Sequence, residues 1–277
     1  MTDTGDDLIE LGYVPKARDY LRDVWSRREF ALEMPFTDLR AQKLNTALGQ
    51  LWHILNPAMN VFVYYIIFGL VLEVDRGVDN YIGFLAIGVL LFTGSTRVLN
   101  MAVGAMEREQ GLIRTVQFPR AILPIASTIE ETLAFFPAIP VLLVTLVLDG
   151  SDVTLRWLIF PVTLVMMTFL NLGLALVIAR AGFGIRDLAQ VVQHVTRLLF
   201  YASGVLFLPT RFVESELGLR LFALNPIYDV ITFARWSLIG TPMTTLELAG
   251  AIAYPIVLPI IGFVWFIRAE HRYGGSA

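Results

Sequence analysis

Tyr81-Ile-Gly-Phe-Leu-Ala-Ile-Gly-Val-Leu-Leu-Phe-Thr-Gly-Ser-Thr-Arg-Val-Leu-Asn-Met-Ala-Val103 is an apolar run carrying one charge, Arg97. The hydrocarbon core of a bilayer is ~30 Å thick and a helix rises ~1.5 Å per residue, so ~20 mostly apolar residues cross it. This run is long enough, and five others match it, at 52–72, 122–148, 155–180, 188–208 and 250–268. No sizeable soluble domain fits between them. The expected fold is an all-α integral membrane protein with six transmembrane helices. Residues 1–51 form an N-terminal tail with an amphipathic helix, and 52–277 form the membrane domain.

Composition agrees, because a soluble chain of 277 residues with 56% hydrophobic and 16% charged residues would have apolar surface it could not bury. The net charge of −3 argues against a nucleic-acid surface, and without cysteine there are neither disulfides nor thiolate ligands. The first fifty residues are polar and show no cleavable signal peptide, so the first membrane helix is expected to be retained.

Lys and Arg favour cytoplasmic flanks. Lys16, Arg18, Arg22, Arg27, Arg28, Arg40 and Lys43 precede the first span, Arg108, Arg114 and Arg120 follow the second, and Arg268 and Arg272 follow the sixth. The first outer loop holds Arg76 among Glu73, Asp75 and Asp79. These loops agree on one topology, multi-pass with both termini cytoplasmic.

Between the spans, three segments stand out. Ala17, Tyr20, Leu21, Val24 and Trp25 share one face of a helix from Lys16 to about Glu33, with charges opposite, which suits the headgroup layer or a soluble partner. Pro35 is expected to end or kink it. Residues 106–120 read as an exposed helical stub stopped by Gly111 and Pro119, or as a solvated turn. The apolar stretch between the fifth and sixth spans is broken by Pro209, Pro226 and Pro242 and by Arg211, Arg220, Asp229 and Arg235. Short re-entrant outer helices fit it better than a clean span, and they suggest an outer gate.

Several motifs then resemble a known family. Thr46-Ala-Leu-Gly-Gln-Leu-Trp-His-Ile-Leu-Asn-Pro57 with Tyr64-Tyr-Ile-Ile-Phe-Gly69, Gln117-Phe-Pro-Arg-Ala-Ile-Leu-Pro124, Arg186-Asp-Leu188, and Leu224-Asn-Pro226 with Arg235 and Gly240 occur in order. They resemble the ABC-2-type exporter permeases over nearly the whole chain, and most of all the polysaccharide branch, which exports O-antigen, wall teichoic acid or lipid-linked galactan in cell wall biogenesis. The run Arg40-Ala-Gln-Lys-Leu-Asn45 departs from many relatives, which puts the particular glycan in doubt.

The resemblance implies a homodimer in the cytoplasmic (inner) membrane, bound to two copies of an ABC ATPase subunit that holds ATP and Mg, because this chain has no Walker A motif and no cofactor of its own. The implied substrate is an undecaprenyl- or decaprenyl-pyrophosphate-linked glycan, moved among membrane lipids. ATPase coupling would fall to Glu107, Arg108, Gln110, Gly111 and Arg114, with Arg22, Arg27, Arg186 and Asp187 beside them. Asn225, Pro226, Tyr228 and Arg235 would belong to the outer gate.

Charges inside spans are the sharpest physical signal, since each costs ~2.5 to 3.5 kcal/mol at the centre of a membrane helix. Arg97, Glu130 and Arg197 lie about ten residues from the cytoplasmic ends of their helices, ~15 Å deep, and are expected to meet. Arg97 would pair with Glu130 or Glu131, with His194, Arg197 or Asn171 nearby. Such a pair either fixes packing or receives the pyrophosphate of a substrate. Phe135, Phe136, Phe200, Tyr201, Phe207, Tyr64 and Tyr65 could offer flat faces along a sugar pathway, although with 19 Phe residues ordinary packing accounts for most rings.

No metal-ligand spacing and no nucleophile motif supports bond-making chemistry. A drug or lipid exporter of the same type, and an ion-coupled secondary transporter, remain the alternatives.

Overall fold

The computed structural model describes residues 17–41, 51–71, 80–185 and 187–273, and every regular element among them is helical. The chain opens with α1 (Ala17–Ser26) and α2 (Arg28–Ala41), so the amphipathic segment is two helices and not one. Pro35 lies inside α2 and does not end it. The missing N–H is tolerated because α2 is held by tertiary packing along the later helix of residues 122–135.

Next come α3 (Trp52–Tyr64), which passes into a π-helical stretch at Tyr65–Val71, and α4 (Tyr81–Val103). Two short helices follow, α5 (Ala105–Arg108) and α6 (Gln110–Thr115), so the charged connection is a helical stub. The third long segment is α7 (Ile122–Phe135) and α8 (Ala138–Leu148), interrupted at Pro137. A 3₁₀ turn at Leu155–Ile159 leads into α9 (Phe160–Gly182). The rest is α10 (Leu188–Ala202), α11 (Pro209–Phe212), α12 (Glu216–Phe222), α13 (Pro226–Ile239), α14 (Thr245–Ile267) and α15 (Glu270–Tyr273).

Four segments are long and apolar enough to cross a bilayer: Tyr81–Val103, Ile122–Leu148, Leu155–Gly182 and Thr245–Ile267. The pair α12 and α13, bent by 90°, makes a fifth if counted as one broken span. Six independent crossings are therefore more than the helices show. The expected first span is a shorter apolar helix, with residue 72 outside the described residues. The expected fifth span is helical only to Ala202, because Ser203 and Gly204 turn the chain and Gly204 has φ +55°, a conformation that disfavours a Cβ. The last span starts at Thr245 and not Gly250. Thr244 and Glu247 form a reciprocal capping box that satisfies the first amides of the helix.

α4 is the most buried of the four long apolar segments and forms the centre of the largest apolar cluster, with Leu142, Leu146, Leu170 and Ile231 around it. α14 packs most extensively on α9. A Cβ on Gly173 would lie 2.5 Å from the backbone of Leu258 and Pro259, so glycine is what permits this approach. Small residues at such contacts are how membrane helices gain van der Waals energy where lipid offers no hydrophobic contrast. The bundle has two ends. The near end gathers α1, α2, α5, α6 and α15 around the starts or ends of α7, α9 and α14. The far end gathers the start of α4, the 149–157 connection and α11 to α13.

Candidate functional site

At the near end, one carboxylate joins three distant parts of the chain. The Tyr20 hydroxyl of α1 donates to Glu270 Oε2 at 2.8 Å. Glu270 Oε1 accepts from the Arg120 backbone N–H at 3.1 Å and pairs with the Arg120 guanidinium at 3.5 Å. The Ala121 N–H, left over at the start of α7, donates back to the Tyr20 oxygen at 3.1 Å. Tyr20 is 4% exposed and its ring meets Phe263 edge-on at 5.8 Å, while Tyr273 packs against Phe183 and Phe266. Burial pushes the Glu270 carboxyl above the ordinary carboxylate range, against the pull of the Arg120 N–H, the Tyr20 hydroxyl and the guanidinium. The Tyr20 hydroxyl is pushed up as well, by burial and then by the Glu270 charge, so it stays a donor.

Around this knot the predicted coupling residues form an exposed, charged rim. Arg22, Arg27, Glu107, Arg108, Gln110, Gly111, Arg114 and Asp187 are all exposed. Arg186 lies outside the described residues. The stub is anchored from beneath by Met106, Leu112 and Ile113, which join the same cluster as Tyr20 and Phe118. Arg108 caps the end of α4 by donating to the Met101 carbonyl at 2.8 Å. A Cβ on Gly111 would meet nothing within 4 Å, so the rim is open at that point.

The far end has its own polar core. Asn225 caps α13 by accepting the Ile227 N–H at 3.1 Å, and its amide donates to Ser203 Oγ at 2.8 Å and to the Ala202 carbonyl at 3.2 Å. With Pro226 at the first helical position, the Asn-Pro pair sets where α13 starts and ties it to the end of α10. Arg235, 1% exposed, donates to the carbonyls of Gly204 at 2.8 Å, Val205 at 2.9 Å and Phe84 at 3.1 Å, with its guanidinium 3.3 Å from the centre of the Phe84 ring. The Tyr228 hydroxyl donates to Glu247 Oε1 at 2.6 Å, and the other oxygen of Glu247 closes the capping box on Thr244 at 2.7 Å. Beside them Asp229 is fully buried, neither of its oxygens has a hydrogen-bond partner, and its carboxylate presses on Gly250, where a Cβ would collide with it. Glu247 and Asp229 were not singled out as site residues. Glu247 was readable from the spacing Thr244-x-x-Glu247 ahead of an apolar run, whereas nothing in the sequence marks Asp229 as buried.

Of the charges expected to meet in mid-bundle, Arg97 and Glu131 come together, and the others do not join them. Arg97 and Glu131 line one small cavity, together with Pro57 and Phe135. Glu130 turns into a different cavity with Arg108 and Glu109. Ion pairs are seen at Arg120–Glu270 and Arg220–Glu216. Arg197 and His194 are exposed on α10, on the opposite side of that helix from buried Val192 and Thr196, and Asn171 is buried in α9. Equal depth along their helices did not bring Arg197 to Arg97, because α10 turns it outward.

The aromatic residues divide too. Phe200 meets Tyr64 at 5.6 Å, Phe92 at 5.3 Å and Tyr201 at 5.5 Å. Phe135 stands apart against Gly94 and Met167, and Phe136 is exposed. Phe207 belongs to the far end, 6.3 Å from Phe222, which in turn meets Tyr228.

No family model matches the chain. Curated relatives do. The chain is 26% identical over 213 residues to the O-antigen export system permease protein RfbA of Myxococcus xanthus, a match covering 76% of this chain and 81% of that protein. It is 24% identical over 237 residues to the protein of the same name from Klebsiella pneumoniae, covering 85% and 90%. It is also 24% identical over 190 residues to the polysialic acid transport protein KpsM of Escherichia coli, covering 68% and 72%. Such relatives and the long apolar helices together indicate a multi-pass membrane protein. The resemblance read from the motifs is borne out: over most of its length the chain is similar to ABC-2-type permeases of the polysaccharide-exporter branch.

Proposed function

We propose that this chain is the membrane subunit of an ATP-driven exporter that moves a lipid-linked polysaccharide across the cytoplasmic membrane. The reading is carried by its similarity, over 85% of its length, to a permease of an O-antigen export system. The chain would act as a homodimer with two copies of a separate ATPase that binds ATP and Mg. Both termini would be cytoplasmic, with the shorter helices α3 and α10 completing six crossings beside the partner copy. The near end would then face the cytoplasm and the far end the outside.

In this reading the rim of Glu107, Arg108, Gln110, Gly111 and Arg114 seats in the ATPase, with Arg22, Arg27, Arg186 and Asp187 at its edge. Nucleotide binds the two ATPase arrangements unequally, and only such a difference can drive a conformational change in the permease. The knot at Glu270 would make α1, the start of α7 and α15 move as one body. At the far end, α12 and α13 form the outer gate, with Asn225, Pro226, Tyr228 and Arg235 fixing the position of α13. Phe200, Tyr201 and Tyr64 supply flat apolar faces along the sugar pathway.

The test is reconstitution of the chain with its ATPase in vesicles holding a lipid-pyrophosphate oligosaccharide. ATP is expected to drive the glycan to the opposite leaflet, and Gly111→Trp, which intrudes only into open space, is expected to stop transport while the protein stays folded. Movement driven by an ion gradient without ATP would overturn the reading.

A further inference from the structure

We propose that the cavity between α4, α7 and α9 is a binding site for a neutral lipid alcohol, a hydrocarbon chain ending in a hydroxyl. The cavity measures about 210 Å³ and is walled by Val98, Phe135, Ile139 and Leu164. Its mouth is formed by Phe136, Val165 and Phe169, all exposed on the outside of the bundle, so a chain can enter sideways from the bilayer. The shape follows from the sequence. Pro137 interrupts the α7–α8 wall. At Gly94 a Cβ would lie 2.6 Å from Met167 Cε and 3.0 Å from the Phe135 ring, so only glycine lets those side chains form the floor.

The polar groups of the cavity decide the class of ligand. Asn171 is 1% exposed, lines the cavity, and its Oδ1 has no hydrogen-bond partner. A buried polar atom left in that state is unfavourable until something donates to it. Thr132 and Thr168 also line the cavity, but their protons are committed to the Thr128 carbonyl at 2.7 Å and the Leu164 carbonyl at 2.8 Å, which leaves only lone pairs for a visitor. The fourth polar group is the Glu131 carboxyl, another acceptor, and Arg97 stands across the adjoining cavity to offset its charge. With the Asn171 amide N–H as a donor beside these acceptors, the site asks for an uncharged group that both donates and accepts a hydrogen bond. A lipid phosphate would bring only acceptors and a like charge, and an alkylammonium would face Arg97 behind Glu131. A hydroxyl on a hydrocarbon chain meets both conditions, with the chain among the rings.

The experiment uses the full chain purified into lipid nanodiscs, without ATPase or glycan, and a long-chain alcohol carrying a photoactivatable diazirine. Crosslinks are expected in 131–139 and 164–171, above the background on the exposed face of α14 at Ile256 and Ile260. Hexadecanol should compete, while hexadecyl phosphate and hexadecylamine should compete at least about tenfold less well. Asn171→Leu should weaken labelling about fivefold or more, the weight of a lost hydrogen bond. Val165→Trp, at an exposed position, should block the mouth and abolish labelling with the polar end intact. Labelling unmoved by both variants, equal competition by the phosphate, or no label in these segments because they hold water only, would each overturn the proposal. Since neither ATP nor transport enters the readout, this result and the test of the exporter reading stand or fall separately.

Discussion

The two ends of the bundle each bury a carboxyl group, and they treat it oppositely. At the near end both oxygens of Glu270 are engaged, by Tyr20 on one side and Arg120 on the other. At the far end Asp229 is more deeply buried and neither oxygen is bonded, although Glu247, on the neighbouring helix α14, is saturated by Tyr228 and Thr244. A fully connected polar group holds its surroundings in one arrangement, whereas an unconnected one stores free energy that another arrangement can release. The near end is thus built to transmit movement as a block, and the far end to change its packing. In the proposed exporter, with a motor at the near end and a gate at the far end, that asymmetry would serve the transport cycle.

The largest expected effect lies at the residue that holds the far end together despite Asp229. Arg235→Ala would strand the carbonyls of Gly204, Val205 and Phe84, and should destabilise the protein by about 3 kcal/mol or more. Thermal unfolding in detergent measures it. Lysine at this position should rescue only part of the loss, because a single ammonium lacks the planar fork that reaches three carbonyls. A loss below about 1 kcal/mol would show that those carbonyls do not depend on the guanidinium.

Next in size is the near end. Tyr20→Phe removes the donor to Glu270 and strands the Ala121 N–H, at a cost of about 1 to 3 kcal/mol. Hydrogen exchange should show faster amides in α1 and at the start of α7, and little change in α13. In the complex with its ATPase, hydrolysis should continue while transport falls. Unchanged exchange in α1 would mean that the knot does not hold the two segments together.

Asp229→Asn should act with the opposite sign. It keeps the shape beside Gly250 and cannot ionise, so stability should rise by about 1 kcal/mol, since folding no longer has to bury a charge or take up a proton to avoid one. A lower unfolding temperature for this variant would mean that the carboxylate has a stabilising partner, and the contrast between the ends would disappear.

How far these features were readable depends on whether their causes are local. Tyr81–Val103 and the stub at 105–115 follow from local pattern, and both are found where expected. The early start of α14 was also readable, because Thr244 and Glu247 are a local signal. The knot was not, since Tyr20 and Glu270 are 250 residues apart and neither belongs to a motif. Arg235 was noticed as part of a motif, but its role as a carbonyl clamp depends on Gly204 turning the chain back toward α4. The expected meeting of Arg97, Glu130 and Arg197 failed for a related reason, since depth along a helix is set by sequence position and facing direction is set by packing. For α10 the mixed face of His194 and Arg197 was the warning that it is not a uniformly apolar span.

The smallest predicted effect is the pH dependence that Glu270 contributes. Burial raises the Glu270 carboxyl above its ordinary 4.5, and the bonds from the Arg120 N–H and Tyr20 and the Arg120 charge only partly oppose this. The folded state therefore holds the proton more readily than the unfolded chain. The stability this provides is complete below the ordinary value and is lost as pH rises through the raised one. Unfolding curves for the protein and for Glu270→Gln should converge or cross as pH is varied over that window, with the steeper fall in the unsubstituted protein. Asp149, also raised by burial and holding the Gly83 N–H at 2.7 Å, adds a slope of the same sign in both proteins. The informative quantity is therefore the difference between the two curves. Parallel curves would mean that Glu270 titrates in the fold as it does in the open chain, and that its hydrogen bonds fully offset its burial.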